Sequence, residues 1–232
     1  MLALVTGGSR GIGKAIAMQL AQSGHDLFLV AKETEGLHKA AEEIDAQTGK
    51  KPLWYACDLR DRDAISVFLR DTPNIRPDVV VLCAGTFLEG SLSEGSLEAF
   101  NETLQVNLVA NYQLIQGFVP RMVGLSKPRI VLIGSTAALE SYHFGPLYGV
   151  SKWALRGFAQ NLRAELKCKA IGVTLVNPGG TWTDLWAGED LPPDRLLVPS
   201  DVASMVVAAI SLSKQAVVEE IILRPMLGDM HQ

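Results

Sequence analysis

Residues 2–13 of the chain read Leu-Ala-Leu-Val-Thr-Gly-Gly-Ser-Arg-Gly-Ile-Gly. The apolar run at 2–5 is typical of a short buried strand, and apolar residues recur at helical spacing from Ile16 to Ala21. This order predicts a strand, a glycine turn and a helix. Because glycines allow close backbone approach and a helix start carries free N–H groups, the turn favours a bound pyrophosphate, although a plain tight turn would look similar.

Apolar runs and amphipathic segments alternate along the rest of the chain. Strands are predicted near residues 2–6, 26–31, 52–56, 78–83, 129–134, 171–176 and 218–223. Helices are predicted near residues 11–23, 35–48, 61–70, 97–122, 149–168 and 200–212. Such alternation implies βαβ units and a parallel sheet with helices on both faces, whose ligands bind beyond the carboxyl ends of the strands.

Composition narrows the class of protein. The 232 residues, 48% of them hydrophobic, are enough to bury a core as one domain. A net charge of −4 without a basic run argues against nucleic acid binding, and no apolar stretch reaches the about 18 residues of a membrane span. Three separated cysteines indicate neither a disulfide framework nor a metal site. With a strand predicted from residue 2, we expect no signal peptide and a cytoplasmic location.

Tyr148-Gly149-Val150-Ser151-Lys152 is the most informative motif for chemistry. Residues i and i+4 share one helix face, so the phenol and the ammonium can reach the same spot. A neighbouring ammonium favours the phenolate and is expected to lower the tyrosine pKa from its ordinary value of about 10. Ser135 follows the apolar run 129–134 and could hydrogen-bond a carbonyl oxygen or an alcohol there. The spacing of Tyr148 and Lys152 also arises by chance on amphipathic helices.

Together, these motifs resemble the short-chain dehydrogenase/reductase family. The resemblance is carried by TGGSRGIG at 6–13, Ala84-Gly85, Asn107, Ser135, Tyr148 with Lys152, and Asn177-Pro178-Gly179. It covers essentially the whole chain in the family's order, and the Gly-x3-Gly-x-Gly turn resembles the compact branch. It implies a Rossmann-type, doubly wound α/β fold with a parallel seven-stranded sheet in a single domain, residues 1–232. Leu82-Cys83 departs from the asparagine that often precedes Ala-Gly, which implies a local change in packing.

The resemblance also implies a reaction, the interconversion of a carbonyl and an alcohol by hydride transfer. Tyr148 is then the general acid and base, Ser135 polarises the oxygen, and Lys152 tunes Tyr148 and holds the nicotinamide ribose. In the family, the asparagine matching Asn107 opens a helix kink and holds a water that relays protons to the lysine. From the residues alone, Asn107 could equally be an interior asparagine bonded to a neighbouring backbone group.

The choice of cofactor is argued from charge. Lys32 ends the second predicted strand, where an NAD site usually has an acid, and Arg10 lies in the glycine turn. These cations favour the 2′-phosphate of NADP(H) over NAD(H), with Glu33 as a complication, unless they are only solvated surface charges. By resemblance Asp58 contacts the adenine, or it caps the following helix.

Thr181 or Thr183 is expected to bond the nicotinamide carboxamide, and Thr183 matches the family's usual threonine better. The predicted cofactor-binding residues are Gly7, Ser9, Arg10, Gly11, Ile12, Gly13, Lys32, Asp58, Leu59, Ala84, Gly85, Tyr148, Lys152, Pro178, Gly179, Thr181 and Thr183.

A long connection at about 181–198 is predicted to form a lid over the substrate. The predicted pocket residues are Leu139, Tyr142, His143, Trp182 and Trp186. Their apolar and aromatic character favours a small-molecule ketone, aldehyde or 3-oxoacyl substrate, or the matching alcohol, unless the aromatics only pack the lid down.

The resemblance further implies a homodimer or homotetramer paired through the helices at 97–122 and 149–168. The alternative function is a non-catalytic NADP(H)-binding sensor or scaffold protein of the same fold. The set Asn107, Ser135, Tyr148 and Lys152 speaks against it, because a sensor has no need of those residues.

Overall fold

Short apolar runs form seven strands in the computed structural model, which describes residues 1–229. The strands are β1 (Leu2–Thr6), β2 (Asp26–Ala31), β3 (Leu53–Ala56), β4 (Val79–Leu82), β5 (Arg129–Ile133), β6 (Gly172–Pro178) and β7 (Glu220–Leu223). All pair in parallel, in the order β3-β2-β1-β4-β5-β6-β7. The predicted doubly wound, seven-stranded sheet is therefore confirmed, and its strand order reverses between β1 and β4, where such sheets open a ligand cleft.

Seven helices connect or follow the strands in the described chain. They are α1 (Gly11–Gln22), α2 (Thr34–Thr48), α3 (Arg62–Asp71), α4 (Leu97–Leu104), α5 (Ala110–Met122), α6 (Pro146–Leu166) and α7 (Pro199–Ser211). The single helix predicted over 97–122 is interrupted by a π-helical turn, Gln105–Val109, which joins α4 to α5. Such wide turns occur frequently at functional sites.

The sheet is buried on both faces by two separate apolar cores. In β4, Val79 and Val81 face one core, while Val80 and Leu82 face the other. Helices α1, α2 and α7 cover the first core, and α3, α5 and α6 cover the second. Because neither face meets water, the central strands are uninterrupted apolar runs instead of alternating ones.

The glycine turn after β1 needs its glycines for steric reasons. Gly7 and Gly11 have φ angles of 68° and 53°, which side chains rarely allow. A Cβ at Gly13 would clash with the carbonyl oxygen of Gly7, and one at Gly7 would lie 3.0 Å from the Cα of Ala84. The Thr6 hydroxyl also accepts a hydrogen bond from the Ala84 N–H at 3.1 Å. The turn is therefore packed directly on the end of β4.

Asp61 caps α3 by accepting hydrogen bonds from the N–H groups of Asp63 at 2.8 Å and Ala64 at 3.2 Å. The alternative that Asp58 caps this helix is therefore wrong. Asp58 lies one turn too early and instead pairs with the Arg60 guanidinium at 2.6 Å.

Two further features concern residues 1–229. No helix in this range is long and apolar enough to cross a membrane. Within the same range, no cluster of three or more His, Cys, Asp or Glu side chains could hold a metal ion. The thiols of Cys57, Cys83 and Cys168 are all free, the first buried and the last exposed.

Replacing Asp61 with alanine should lower the free energy of unfolding by about 1 kcal/mol, because two N–H groups at the start of α3 lose their acceptor. Urea denaturation measures this change. Asp58→Ala is the control and should cost less, since its partner Arg60 is at the surface. Equal losses in both variants would contradict the assignment of the cap.

Candidate active site

Tyr148 and Lys152 lie in the first turns of α6, which starts at Pro146. The Lys152 side chain is buried, and its Nζ donates a hydrogen bond to the carbonyl of Ile133 at 3.0 Å, at the end of β5. The same Nζ lies 5.3 Å from the centroid of the Tyr148 ring. The phenol and the ammonium therefore meet at the carboxyl end of β5, on one face of the helix.

Burial controls the ionisation of both groups. It raises the pKa of Tyr148 to about 12, against a hydrogen bond with Ser135 that lowers it, while the nearby Cys83 raises it further. Burial also lowers the pKa of Lys152 to about 8. The expectation that Lys152 lowers the pKa of Tyr148 is therefore not met, because burial of the phenol outweighs other influences. At neutral pH the phenol keeps its proton.

Ser135 follows β5 and begins a short 3-10 turn, Thr136–Ala138. Its hydroxyl accepts a hydrogen bond from the Ala137 N–H at 3.1 Å, and its interaction with Tyr148 lowers the pKa of that phenol. Its own N–H donates to the Oδ1 of Asn177 at 3.2 Å. Ser135 thus completes a group of hydroxyl, phenol and ammonium at one edge of the sheet.

Asn107 lies in the π-helical turn and is fully buried. Its Oδ1 accepts from the Thr86 N–H at 2.8 Å, and its Nδ2 donates to the Thr86 carbonyl at 3.0 Å and to the Ser151 hydroxyl at 2.9 Å. Ser151 in turn donates to the carbonyl of Tyr148 at 2.7 Å. The carboxamide of Asn107 is therefore bonded to neighbouring backbone, and it joins the segment after β4 to α6.

The predicted glycines form a cradle without side chains. A Cβ at Gly85 would lie 3.3 Å from the Oδ1 of Asn107 and 3.8 Å from the Nζ of Lys152. A Cβ at Gly11 would lie 3.2 Å from the methyl group of Thr183. The glycine turn, the segment after β4 and the start of the lid therefore meet in one cleft, which fits a dinucleotide that crosses the switch point.

Other predicted cofactor residues border this cleft. Ser9 packs against Gly36 of α2, and the partly buried Ile12 starts α1 behind the turn. Pro178 ends β6, and Gly179 follows it and leads into the lid. The Thr181 hydroxyl donates to the carbonyl of Gly179 at 2.9 Å. The Thr183 side chain instead lies beside Gly11 of the glycine turn.

The predicted phosphate-binding cations are exposed and already paired. Arg10 contacts Asp184 of the lid at 2.8 Å, and Lys32 contacts Glu33 at 3.4 Å. Exposed pairs of this kind are weak and exchange partners easily.

The predicted adenine-binding segment is also held in place. The pKa of Asp58 is lowered, mainly by its hydrogen bond from Arg60. Leu59 is buried, and its carbonyl accepts a hydrogen bond from Gln105 of the π-helical turn at 3.2 Å. This contact links the segment after β3 to the turn that carries Asn107.

Two aromatic rings lie beside the Tyr148 phenol. The centroids of Tyr142 and Phe87 lie 6.0 Å and 5.4 Å from that of Tyr148. Phe87 was not predicted, and its only sequence signal is its position just after Ala84-Gly85. Leu139 is partly buried, whereas His143 is exposed.

The two ends of the predicted lid are bound to each other. Thr181 and Leu197 form a parallel bridge at its base. The indole of Trp182 donates to the Pro193 carbonyl at 2.8 Å, and Trp186 packs near Gly180. Both indoles therefore have contacts within or next to the predicted lid.

The chain is similar to known proteins over most of its length. The short chain dehydrogenase family model matches residues 1–192. Sepiapterin reductase of Chlorobaculum tepidum is 30% identical over 240 residues, covering 98% of this chain and 97% of that protein. The crystal structure of a metagenomic short-chain oxidoreductase in complex with NADP is 32% identical, with a TM-score of 0.84 over 97% of both chains. An alcohol dehydrogenase from Thermococcus sibiricus, complexed with 5-hydroxy-NADP, is 27% identical, with a TM-score of 0.90 over 100% of this chain and 99% of that one.

The low pKa of Lys152 has a consequence for stability. Since its folded pKa of about 8 lies below its ordinary value of 10.5, the unfolded chain binds more protons between those two pH values. The free energy of unfolding of the wild type, relative to Lys152→Met, should therefore rise with pH across that window. Urea denaturation at a series of pH values measures this difference. A difference that stays constant with pH would contradict the burial of an ionisable Lys152.

Proposed function

The chain belongs to the short-chain dehydrogenase family of oxidoreductases, and from this we propose that it is an NADP(H)-dependent enzyme that interconverts a carbonyl and an alcohol by hydride transfer. We propose a ketone, aldehyde or 3-oxoacyl compound as the carbonyl substrate. The observation that carries the proposal is the convergence of Tyr148, Ser135 and Lys152 at the end of β5.

The proposed mechanism assigns one task to each of these side chains. The nicotinamide, when bound, supplies or accepts the hydride. Tyr148 donates a proton to the carbonyl oxygen, and its raised pKa keeps that proton available at neutral pH. The Ser135 hydroxyl donates a hydrogen bond to the same oxygen. Lys152, whose pKa lies near 8, would hold the nicotinamide ribose and return a proton to Tyr148, while the Asn107 region relays protons to Lys152.

The cofactor proposal is supported by the shape and charge of the cleft. Gly7, Gly11 and Gly85 let the glycine turn, the end of β4 and the lid approach one another closely at the switch point between β1 and β4, where dinucleotides bind in sheets of this kind. Arg10 and Lys32 are exposed cations near the glycine turn and the end of β2, available to the 2′-phosphate of NADP(H). Similar proteins of known structure were solved with NADP bound.

We also propose that the enzyme is a cytoplasmic homodimer or homotetramer. Support comes from the outer face of α5 and α6, where Tyr112, Val150 and Trp153 are 50%, 37% and 47% exposed. Gly157, one turn further, has open space where a Cβ would lie. It therefore faces away from the sheet, and a second helix could approach closely there.

Tyr148→Phe should reduce kcat by at least about 10²-fold, because the proton donor is lost while the ring remains. The NADPH dissociation constant should stay near the wild-type value. Steady-state NADPH oxidation against ketones, aldehydes and 3-oxoacyl thioesters measures the first, and fluorescence titration the second.

Tyr55→Phe is the matched control, since its hydroxyl contacts Asp71, at the end of α3, at 3.2 Å. It should keep wild-type kcat. Wild-type turnover in Tyr148→Phe would remove Tyr148 from the acid role. Tight NADPH binding by the wild type without turnover of any carbonyl would favour the non-catalytic sensor or scaffold alternative.

Replacing both Arg10 and Lys32 with alanine should weaken NADPH binding about tenfold to a hundredfold, since charged hydrogen bonds to the phosphate are lost. NADH binding should change little, because NADH lacks that phosphate. Fluorescence titration with both cofactors measures the change. Lys39→Ala, which removes another exposed cation from α2, is the control. Equal weakening of NADPH and NADH would contradict the proposed phosphate site.

A further inference from the structure

A buried asparagine next to the proposed site contacts the backbone of Ser135. Asn177 lies in β6 just before Pro178, and its side chain is fully buried. Its Oδ1 accepts a hydrogen bond from the Ser135 N–H at 3.2 Å. Its Nδ2 donates to Oε1 of Glu220, in β7, at 2.7 Å. The carboxamide thus connects the serine after β5 to the edge strand of the sheet.

Glu220 is in turn bound by α6, the helix that carries Tyr148 and Lys152. Arg156 holds both carboxylate oxygens of Glu220, with its Nε at 2.9 Å from Oε1 and an Nη at 3.2 Å from Oε2. Arg156 lies one turn beyond Lys152 on α6. A continuous set of hydrogen bonds therefore runs from Ser135 through Asn177 and Glu220 to α6.

The chemistry of these partners determines which way the carboxamide faces. The Ser135 N–H can only donate, and the Glu220 carboxylate can only accept. Only one orientation of Asn177 satisfies both, with Oδ1 towards Ser135 and Nδ2 towards Glu220. Arg156 pairs with the Glu220 carboxylate and holds it in place.

The close approach of Gly134 to Asn177 is independent evidence that the side chain of Asn177 has a fixed position next to Ser135. A Cβ at Gly134 would clash with the Oδ1 of Asn177. The residue immediately before Ser135 must therefore be glycine for the carboxamide to reach the serine backbone.

We propose that Asn177 is a positioning residue, which together with Glu220 and Arg156 holds Ser135 in register with Tyr148 on α6. This inference rests on the proposed function, because it assigns Asn177 a task in the same reaction. Within residues 1–229, the Asn177 side chain forms hydrogen bonds with Ser135 and Glu220 but with neither Tyr148 nor Lys152. Its effect on chemistry is exerted through Ser135.

The positioning has a measurable electrostatic consequence. The hydrogen bond from Ser135 lowers the pKa of Tyr148, against burial and the nearby Cys83, which raise it. If Ser135 moves away, that opposing influence weakens and the pKa of Tyr148 rises. In alcohol oxidation the phenol must be deprotonated, so the increase of kcat with pH should move to higher pH.

Asn177→Leu tests the proposal, because leucine has a similarly branched side chain that neither accepts nor donates a hydrogen bond. We expect kcat to fall about tenfold to a hundredfold, as for a small misplacement of a reacting group. The rising limb of the kcat–pH profile for alcohol oxidation should move to higher pH, while the NADPH dissociation constant stays near the wild-type value. Wild-type kcat with an unshifted limb would overturn the proposal.

Glu219→Gln is the matched control. Glu219 lies directly before β7 and pairs with Arg163 of α6 at 3.6 Å. It does not contact Asn177. This variant should keep the wild-type kcat and pH profile. An equal shift in Glu219→Gln would indicate that any loss of contact between α6 and β7 has the same effect, and would overturn the role of Asn177.

A designed pair separates the role of the hydrogen bonds from general stability. Asn177→Asp keeps an acceptor for the Ser135 N–H but places a second carboxylate beside Glu220. Adding Glu220→Gln to it replaces one carboxylate by a donor and restores a complementary pair. We expect kcat to be low in Asn177→Asp and to recover towards wild type in Asn177→Asp/Glu220→Gln. A double variant as slow as the single one would overturn the proposed orientation.

Hydrogen exchange at the Ser135 amide gives a readout that does not depend on turnover. The amide should exchange faster in Asn177→Leu and at the wild-type rate in Glu219→Gln. If the wild type turns over no carbonyl, the proposed function fails, while faster exchange still supports the contact. Unchanged exchange at Ser135 in Asn177→Leu would overturn the positioning role. Should Asn177→Leu not fold, the Asn177→Asp pair is measured in the same way.

Discussion

The close approach of the glycine turn to the end of β4 is the constraint on which the site depends. Gly7 lies against Ala84 and Gly13 against Gly7, at distances that leave no room for side chains. This approach brings the start of α1 to the point where the strand order reverses. A cleft at that point exposes free N–H groups of the helix on one side and the ends of β4 and β5 on the other.

Two buried asparagines connect the site to its scaffold. Asn107 joins the segment after β4 to α6 through Thr86 and Ser151. Asn177 joins the serine after β5 to β7. Each carboxamide has partners for both its oxygen and its nitrogen, so the surrounding loops have few alternative arrangements. The same enclosure raises the pKa of Tyr148 and lowers that of Lys152, because burial disfavours the charged form of each group.

Much of the architecture could be predicted from local sequence patterns. Apolar runs and helical periodicity predicted all seven strands, and the spacing of Tyr148 and Lys152 predicted a shared helix face. The break at Gln105–Val109 could not be located by periodicity, because a turn of five residues is shorter than the stretch over which helical periodicity is recognised. Asp58 and Asp61 are both plausible caps in sequence, and only the helix start at Arg62 distinguishes them.

The sequence by itself therefore determined the α/β class, the glycine turn and the identity of the main candidate groups, since these depend on residues close together in the chain. Only the tertiary structure decided that Phe87 packs on Tyr148, that Asn177 bonds to Ser135, and that burial raises the pKa of Tyr148. Those features depend on contacts between residues far apart in the chain and on exclusion of water, and local sequence patterns carry information about neither.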